Sequence, residues 1–73
     1  MIMVHKIKVG SNVYTREGYG RITGIVKAKY SYVSFPSGFE FNKGTTVYRV
    51  AIPPKGSKVV VDMRRKDILR VDG

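Results

Sequence analysis

The 73-residue sequence has no cysteine and no tryptophan, a single histidine and only five acidic residues. Each shortage removes a class of chemistry. Without cysteine there is no disulfide framework, no thiolate nucleophile and no Cys-based zinc site. His5 alone supplies neither a metal cluster nor the base of a triad. Asp62, Asp67 and Asp72 are too regularly spread to form a metal loop, and Glu17 and Glu40 stand alone. There is no Gly-rich phosphate loop, no Ser-His-Asp set and no supported carboxylate dyad. The expectation is a protein that is not an enzyme and carries no metal or cofactor. Long apolar runs are also missing. Met1–Val4 is far too short for a signal-peptide core or a membrane span, so the reading is cytoplasmic, with no membrane partner. No stretch sustains a helical period.

Basic charge is abundant. Fourteen Lys and Arg give a formal net charge of +9. Hydrophobic residues make up 42%, which separates a folded domain from a basic tail. A second domain would have no core of its own, so residues 1–73 read as one domain. The charge is distributed through that domain. Lys6 to Lys58 holds ten basic residues against Glu17 and Glu40, whereas Asp62 to Asp72 is nearly balanced. Such a domain repels itself, and a polyanionic partner relieves the repulsion. Nucleic acid is the first candidate and an acidic protein surface the second.

Period-2 alternation dominates. Ile7 and Val9 alternate with Lys6 and Lys8, Gly10-Ser11-Asn12 turns, and Val13-Tyr14 extends. Gly18-Tyr19-Gly20 reads as a hairpin or bulged turn. From Arg21 to Ala28 the apolar parity slips near Gly24, which predicts a β-bulge. Tyr30 to Phe35 predicts a strand with Val33 and Phe35 inward and Tyr30 and Tyr32 outward. Thr45 to Ile52 is a β-branched strand, Pro53-Pro54-Lys55-Gly56 a rigid turn, and Lys58 to Asp62 a short Val-rich strand. Met63 to Asp67 loses the alternation and predicts one 3₁₀ turn, before a last strand at Leu69 to Val71. The fold class is therefore all-β, a five- to six-stranded antiparallel barrel with a short 3₁₀ turn before its last strand. Its core would be Val13, Ile22, Ile25, Val33, Phe35, Val50, Val59, Val61 and Leu69.

Val9-Gly10-Ser11-Asn12-Val13-Tyr14 and Gly18-Tyr19-Gly20-Arg21-Ile22-Thr23-Gly24-Ile25 resemble the opening of SH3-like barrels of the Tudor and KOW kind. In style they are nearest the RNA-polymerase-interacting domain of CarD and the transcription-repair coupling factor. Gly56 to Asp62, the turn, and Asp67 to Val71 match the way that group finishes its barrel. Glu17 departs from it, standing where the group tends to have His, and Phe39 to Ile52 has no clear counterpart. The resemblance implies an SH3-like barrel and, as an alternative function, a module docking on RNA polymerase or another acidic assembly.

Candidate contact residues fall into three groups. Arg16, Tyr19 and Arg21 sit at the first glycine turn and suit phosphates and stacking, or else Tyr19 packs over the barrel rim. Lys27, Lys29, Tyr30 and Tyr32 suit a nucleic-acid platform, or else the tyrosines are cross-strand pairs. Lys43, Arg49, Lys55 and Lys58 lie on the later hairpin and suit a phosphate backbone, or else protect a sheet edge. Phe39 and Phe41 are expected to cover the open end of the barrel, His5 to be partly buried, and Arg64, Arg65 and Lys66 to pair with Asp62 and Asp67. Few side chains suit base readout. The expected function is binding of nucleic acid, DNA in preference to RNA, with low sequence specificity, by a monomer or small homo-oligomer. The setting expected is transcription, DNA maintenance or the biology of a mobile element or phage, at the nucleoid if the partner is DNA.

Overall fold

The computed structural model describes residues 6–35, 37–53 and 59–72. His5, Lys55 and Lys58 lie outside them. Among the described residues the chain forms seven strands and one 3₁₀ turn: β1 (Asn12–Thr15), β2 (Gly18–Lys27), β3 (Tyr32–Val33), β4 (Glu40–Phe41), β5 (Thr46–Ile52), β6 (Val59–Met63), the 3₁₀ turn (Arg65–Asp67) and β7 (Ile68–Val71). The main sheet is antiparallel with order β6-β5-β2-β1-β7, and β3 and β4 form a separate hairpin. The all-β class and the 3₁₀ turn before the last strand are as expected. The sheet itself is not closed, because its edges β6 and β7 do not pair with each other.

The first hairpin turns one step earlier than the glycines suggest. Thr15 pairs with Gly18, so Arg16 and Glu17 form the loop. Thr15 Oγ1 accepts the Glu17 N–H at 3.0 Å and donates to the Gly18 carbonyl at 2.8 Å, tying the loop to β1. Gly18 has φ +111°, a conformation that L side chains resist. Gly20 is needed for another reason. A Cβ there would come within 2.5 Å of Val50 Cγ1 and 2.7 Å of the Ala51 carbonyl oxygen.

The expected bulge is present. The β2–β5 register runs Ile22↔Val50 and then Gly24↔Arg49, leaving Thr23 without a partner opposite it. Its hydroxyl donates to the Arg49 carbonyl at 3.3 Å. The slip lets Ile22 and Ile25 both reach the main core, which also contains Val13, Val50, Val61, Met63 and Ile68.

Val47 has the opposite parity to Val50 and therefore faces the other side of the sheet. It is buried there because Phe41 and Ala28 pack with it, with Tyr32 and Phe39 alongside. The β3–β4 hairpin thus covers part of the second face. Phe41 is buried with Ala28 and Val47, and Phe39 is half-buried against both clusters. The parity expected for β3 is inverted. Tyr32 turns inward and stacks on Phe41 (centroids 4.9 Å, interplanar angle 18°), while Val33 and Phe35 are exposed. Val9, Val59 and Leu69 are exposed too. An aromatic ring across the register outweighs β-branched propensity in a two-residue strand, since Tyr32↔Phe41 buries more surface than Val33↔Glu40 could.

Candidate nucleic-acid interface

The outward face of the main sheet can be read from its register. Directly paired residues share a face, so Asp62, Arg49 and Ala51 on β6 and β5 continue through Arg21 to Asn12. Tyr14 and Tyr19 form the next pair along β1 and β2, and Arg70 on β7 lies opposite Tyr14. The strands therefore place basic and aromatic side chains across one face, and the β3–β4 hairpin rests at one end of it.

At that end lies a partly open pocket of about 420 Å³, lined by Val26, Lys27, Ala28, Lys29, Tyr30, Tyr32, Val47, Arg49 and Asp62. It brings together five of the expected contact residues: Lys27, Lys29, Tyr30, Tyr32 and Arg49. Lys27 Nζ donates to Thr46 Oγ1 at 2.8 Å across the paired strands, and Lys29 is exposed. Tyr30 is 68% exposed, its ring 5.8 Å from that of Tyr32 and tilted by 59°.

Tyr32 is not the free outer platform expected of it. Its hydroxyl donates to Asp62 Oδ2 at 3.1 Å, and its ring is stacked on Phe41. Burial, followed by the Asp62 charge and the hydrogen bond to it, pushes the phenol above its ordinary range, so Tyr32 stays protonated as a donor. Arg49 Nε lies 3.7 Å from Asp62 Oδ1, a half-exposed pair that leaves the guanidinium accessible to a second anion.

Along the same face, Tyr14 and Tyr19 meet with centroids 4.6 Å apart, and the Arg70 guanidinium lies 5.6 and 5.8 Å from the two rings. Arg70 donates to the Tyr19 hydroxyl at 3.2 Å and to Asp72 at 2.7 Å. Its charged form is favoured by the Asp72 hydrogen bond first and then by that to Tyr19, while the same Arg70 bond lowers the Asp72 pKa. Arg21 Nε donates to Asn12 Oδ1 at 3.2 Å. Tyr14 and Arg70 were missed from the sequence. Their signal was the alternation Asn12, Tyr14 against Val13, Thr15, which places Tyr14 outward; the β1–β7 pairing that brings Arg70 to it has no local signature.

Arg16 belongs elsewhere. Its Nε lies 3.2 Å from Asp67 Oδ1, and its backbone N–H donates to the Asp67 carbonyl at 3.0 Å. Asp67 is fully buried. Arg64 also reaches it, with Nε to Oδ2 at 2.8 Å, Nη2 to Oδ1 at 3.2 Å and the backbone N–H to Oδ2 at 3.1 Å. The expected pairing of the tri-basic run thus holds for Arg64, whose guanidinium also covers the Phe39 ring at 5.0 Å. Burial opposes ionisation of Asp67. The Arg64 hydrogen bonds and the Arg64 and Arg16 charges outweigh it and hold the carboxyl below its usual range. Lys43 sits at the β4–β5 turn, its backbone N–H donating to Ser31 Oγ at 3.3 Å, beside the tyrosines but outside the pocket lining.

Among the described residues, no group of His, Asp and Glu is placed to hold a metal, and no helix is long and apolar enough to cross a membrane. No protein-family model, no curated protein and no solved structure matches the chain.

Proposed function

We propose that the protein binds nucleic acid, DNA in preference to RNA, with low sequence specificity, through the outward sheet face and the pocket at its end. One observation carries this reading: Lys27, Lys29 and Arg49 are among the residues lining a pocket that also includes the exposed Tyr30. Cations that neutralise phosphates and a ring that accepts a stacked base are the two elements of sequence-tolerant binding. Arg21, Tyr19 and Arg70 extend the track along the sheet. Lys43 supplies charge at its margin, while Arg16 is engaged with the buried Asp67. Lys55 and Lys58 add charge from outside the described residues. The proposal takes the fold as an SH3-like barrel of the Tudor and KOW kind, a reading supported by the bulged β2 and the 3₁₀ turn before β7. The role would be that of an accessory in transcription, DNA maintenance or the biology of a mobile element, at the nucleoid.

The test is a titration of DNA at several salt concentrations. Log K is expected to fall steeply with log salt, and Lys29→Ala to flatten the slope by about one. Absence of binding at low salt overturns the proposal.

A second reading is favoured by Phe35, which is 94% exposed at the β3–β4 tip, and by the two edges of the main sheet, β6 and β7, which are unpaired among the described residues. An extended segment of RNA polymerase or another acidic protein could add to such an edge. A partner captured from lysate that survives nuclease treatment supports this reading over the first.

A further inference from the structure

Lys27, Lys29 and Arg49 offer only positive charge to the pocket, but Asp62 also lines it. A carboxylate in a phosphate-binding site is costly, because it repels the ligand's own charge. Its place makes sense if the phosphate and the base lie at different points. Asp62 Oδ2 accepts from Tyr32, and Oδ1 is 3.7 Å from Arg49 Nε. A carboxylate has about four lone-pair sites, so Asp62 retains acceptor capacity beyond these two partners. The Asp62 side chain is 25% exposed, so an incoming N–H can reach it.

We infer that the pocket receives one unpaired, amino-bearing base of a single strand. The inference rests on the nucleic-acid reading above and sharpens it to single strands. The base stacks on Tyr30, whose ring is open to solvent. Its exocyclic amine donates to Asp62, and the adjoining phosphates meet Lys27, Lys29 and Arg49. The volume, about 420 Å³, falls in the range of small-ligand sites, roughly 300–1,000 Å³. A base still paired in a duplex has its faces covered by its neighbours and its amine engaged with its partner, so it can use neither Tyr30 nor Asp62. Cytosine presents an amine donor that carboxylates accept. Thymine instead presents a carbonyl at that position, which the Asp62 charge repels.

The test uses short labelled oligo(dC), oligo(dT) and oligo(rC), and a duplex of matched phosphate number, at one moderate salt concentration. Oligo(dC) is expected to bind roughly tenfold tighter than the duplex, the size of one stacked base. Tyr30→Ala should remove that margin, weakening oligo(dC) about tenfold more than the duplex, and Tyr30→Phe should restore it. Because Tyr30 is exposed and its recorded ring partner is Tyr32, the fold does not depend on it. Asp62→Asn should erase the preference for oligo(dC) over oligo(dT), since an amide can both donate and accept. Oligo(rC) matching oligo(dC) shows that the base is recognised without regard to sugar; oligo(rC) alone showing the margin assigns the site to RNA. Equal affinity for oligo(dC) and duplex, or equal loss in both on Tyr30→Ala, overturns the inference while the nucleic-acid reading stands. Failure of every polyanion to bind at low salt removes both.

Discussion

Gly20 and Gly24 lie on the same strand and answer to different constraints. A methyl group at Gly20 would collide with Val50 and with the Ala51 backbone, which cannot withdraw without breaking the β2–β5 ladder. Gly20→Ala should lower stability by about 2 kcal/mol, the usual range for overpacking, measured as a shift in urea midpoint. At Gly24 a Cβ would meet only the Arg49 side chain at ordinary contact distance. Gly24→Ala should therefore stay within about 0.5 kcal/mol of the parent. Asp67 is the other residue on which much depends. Asp67→Asn weakens the hydrogen bonds and removes the counter-charge that Arg64 and Arg16 share, and should cost about 2 kcal/mol. The pH dependence has a definite sign. The Asp67 carboxyl is held below its unfolded value of about 3.9, so its stabilisation is complete above that value. It is lost as pH falls through the lowered folded value, where the carboxylate takes up its proton. Acid unfolding followed by far-ultraviolet circular dichroism should be less steep between about pH 4 and the acid end in Asp67→Asn.

At the scale of elements, the β3–β4 hairpin has one side that anchors it and one that does not. Phe41→Ala should cost about 3 kcal/mol, because it opens the cluster with Ala28 and Val47 and removes the support of Tyr32. Phe35→Ser should change the thermal midpoint little, since Phe35 is almost fully exposed. Differential scanning calorimetry on the two variants checks both. The strands of the main sheet were legible in the sequence where extended residues clustered, as in Val13-Tyr14 and Thr45 to Ile52. The Gly24 bulge and the 3₁₀ turn were legible because each breaks that alternation. The β3 parity was not, because a two-residue strand carries no period and the partner that decides it, Phe41, lies on a different strand. The same limit applies to the site. Lys27, Lys29 and Tyr30 were readable as a local run, and Arg49 by parity. The turning of Arg16 toward Asp67, and of Tyr32 toward Asp62, depends on residues distant in sequence.

At the scale of the whole molecule, net charge and topology pull in different directions. A charge of +9 makes the compact state repel itself, so its melting temperature should rise as salt is added from low ionic strength to about 0.15 M, where the screening length is about 8 Å. A fall on adding salt would show that the ion pairs of Asp62, Asp67 and Asp72 outweigh the general repulsion. The neighbour of β1 in the sheet is β7, with Val13 opposite Val71 and the Asp72 N–H donating to the Asn12 carbonyl at 2.8 Å. That seam joins segments separated by nearly the whole described chain, and Asp67 fastens it to the first hairpin through Arg16. A contact so distant in sequence carries a large loop-closure cost and is placed to form after the shorter-range ladders. The seam is expected to form after the β2–β5 and β5–β6 ladders and to open before them. In stopped-flow measurements Asp67→Asn should speed unfolding while leaving the refolding rate nearly unchanged. The time the protein stays folded is then governed by a latch at the seam, and the ladders govern how quickly it gets there.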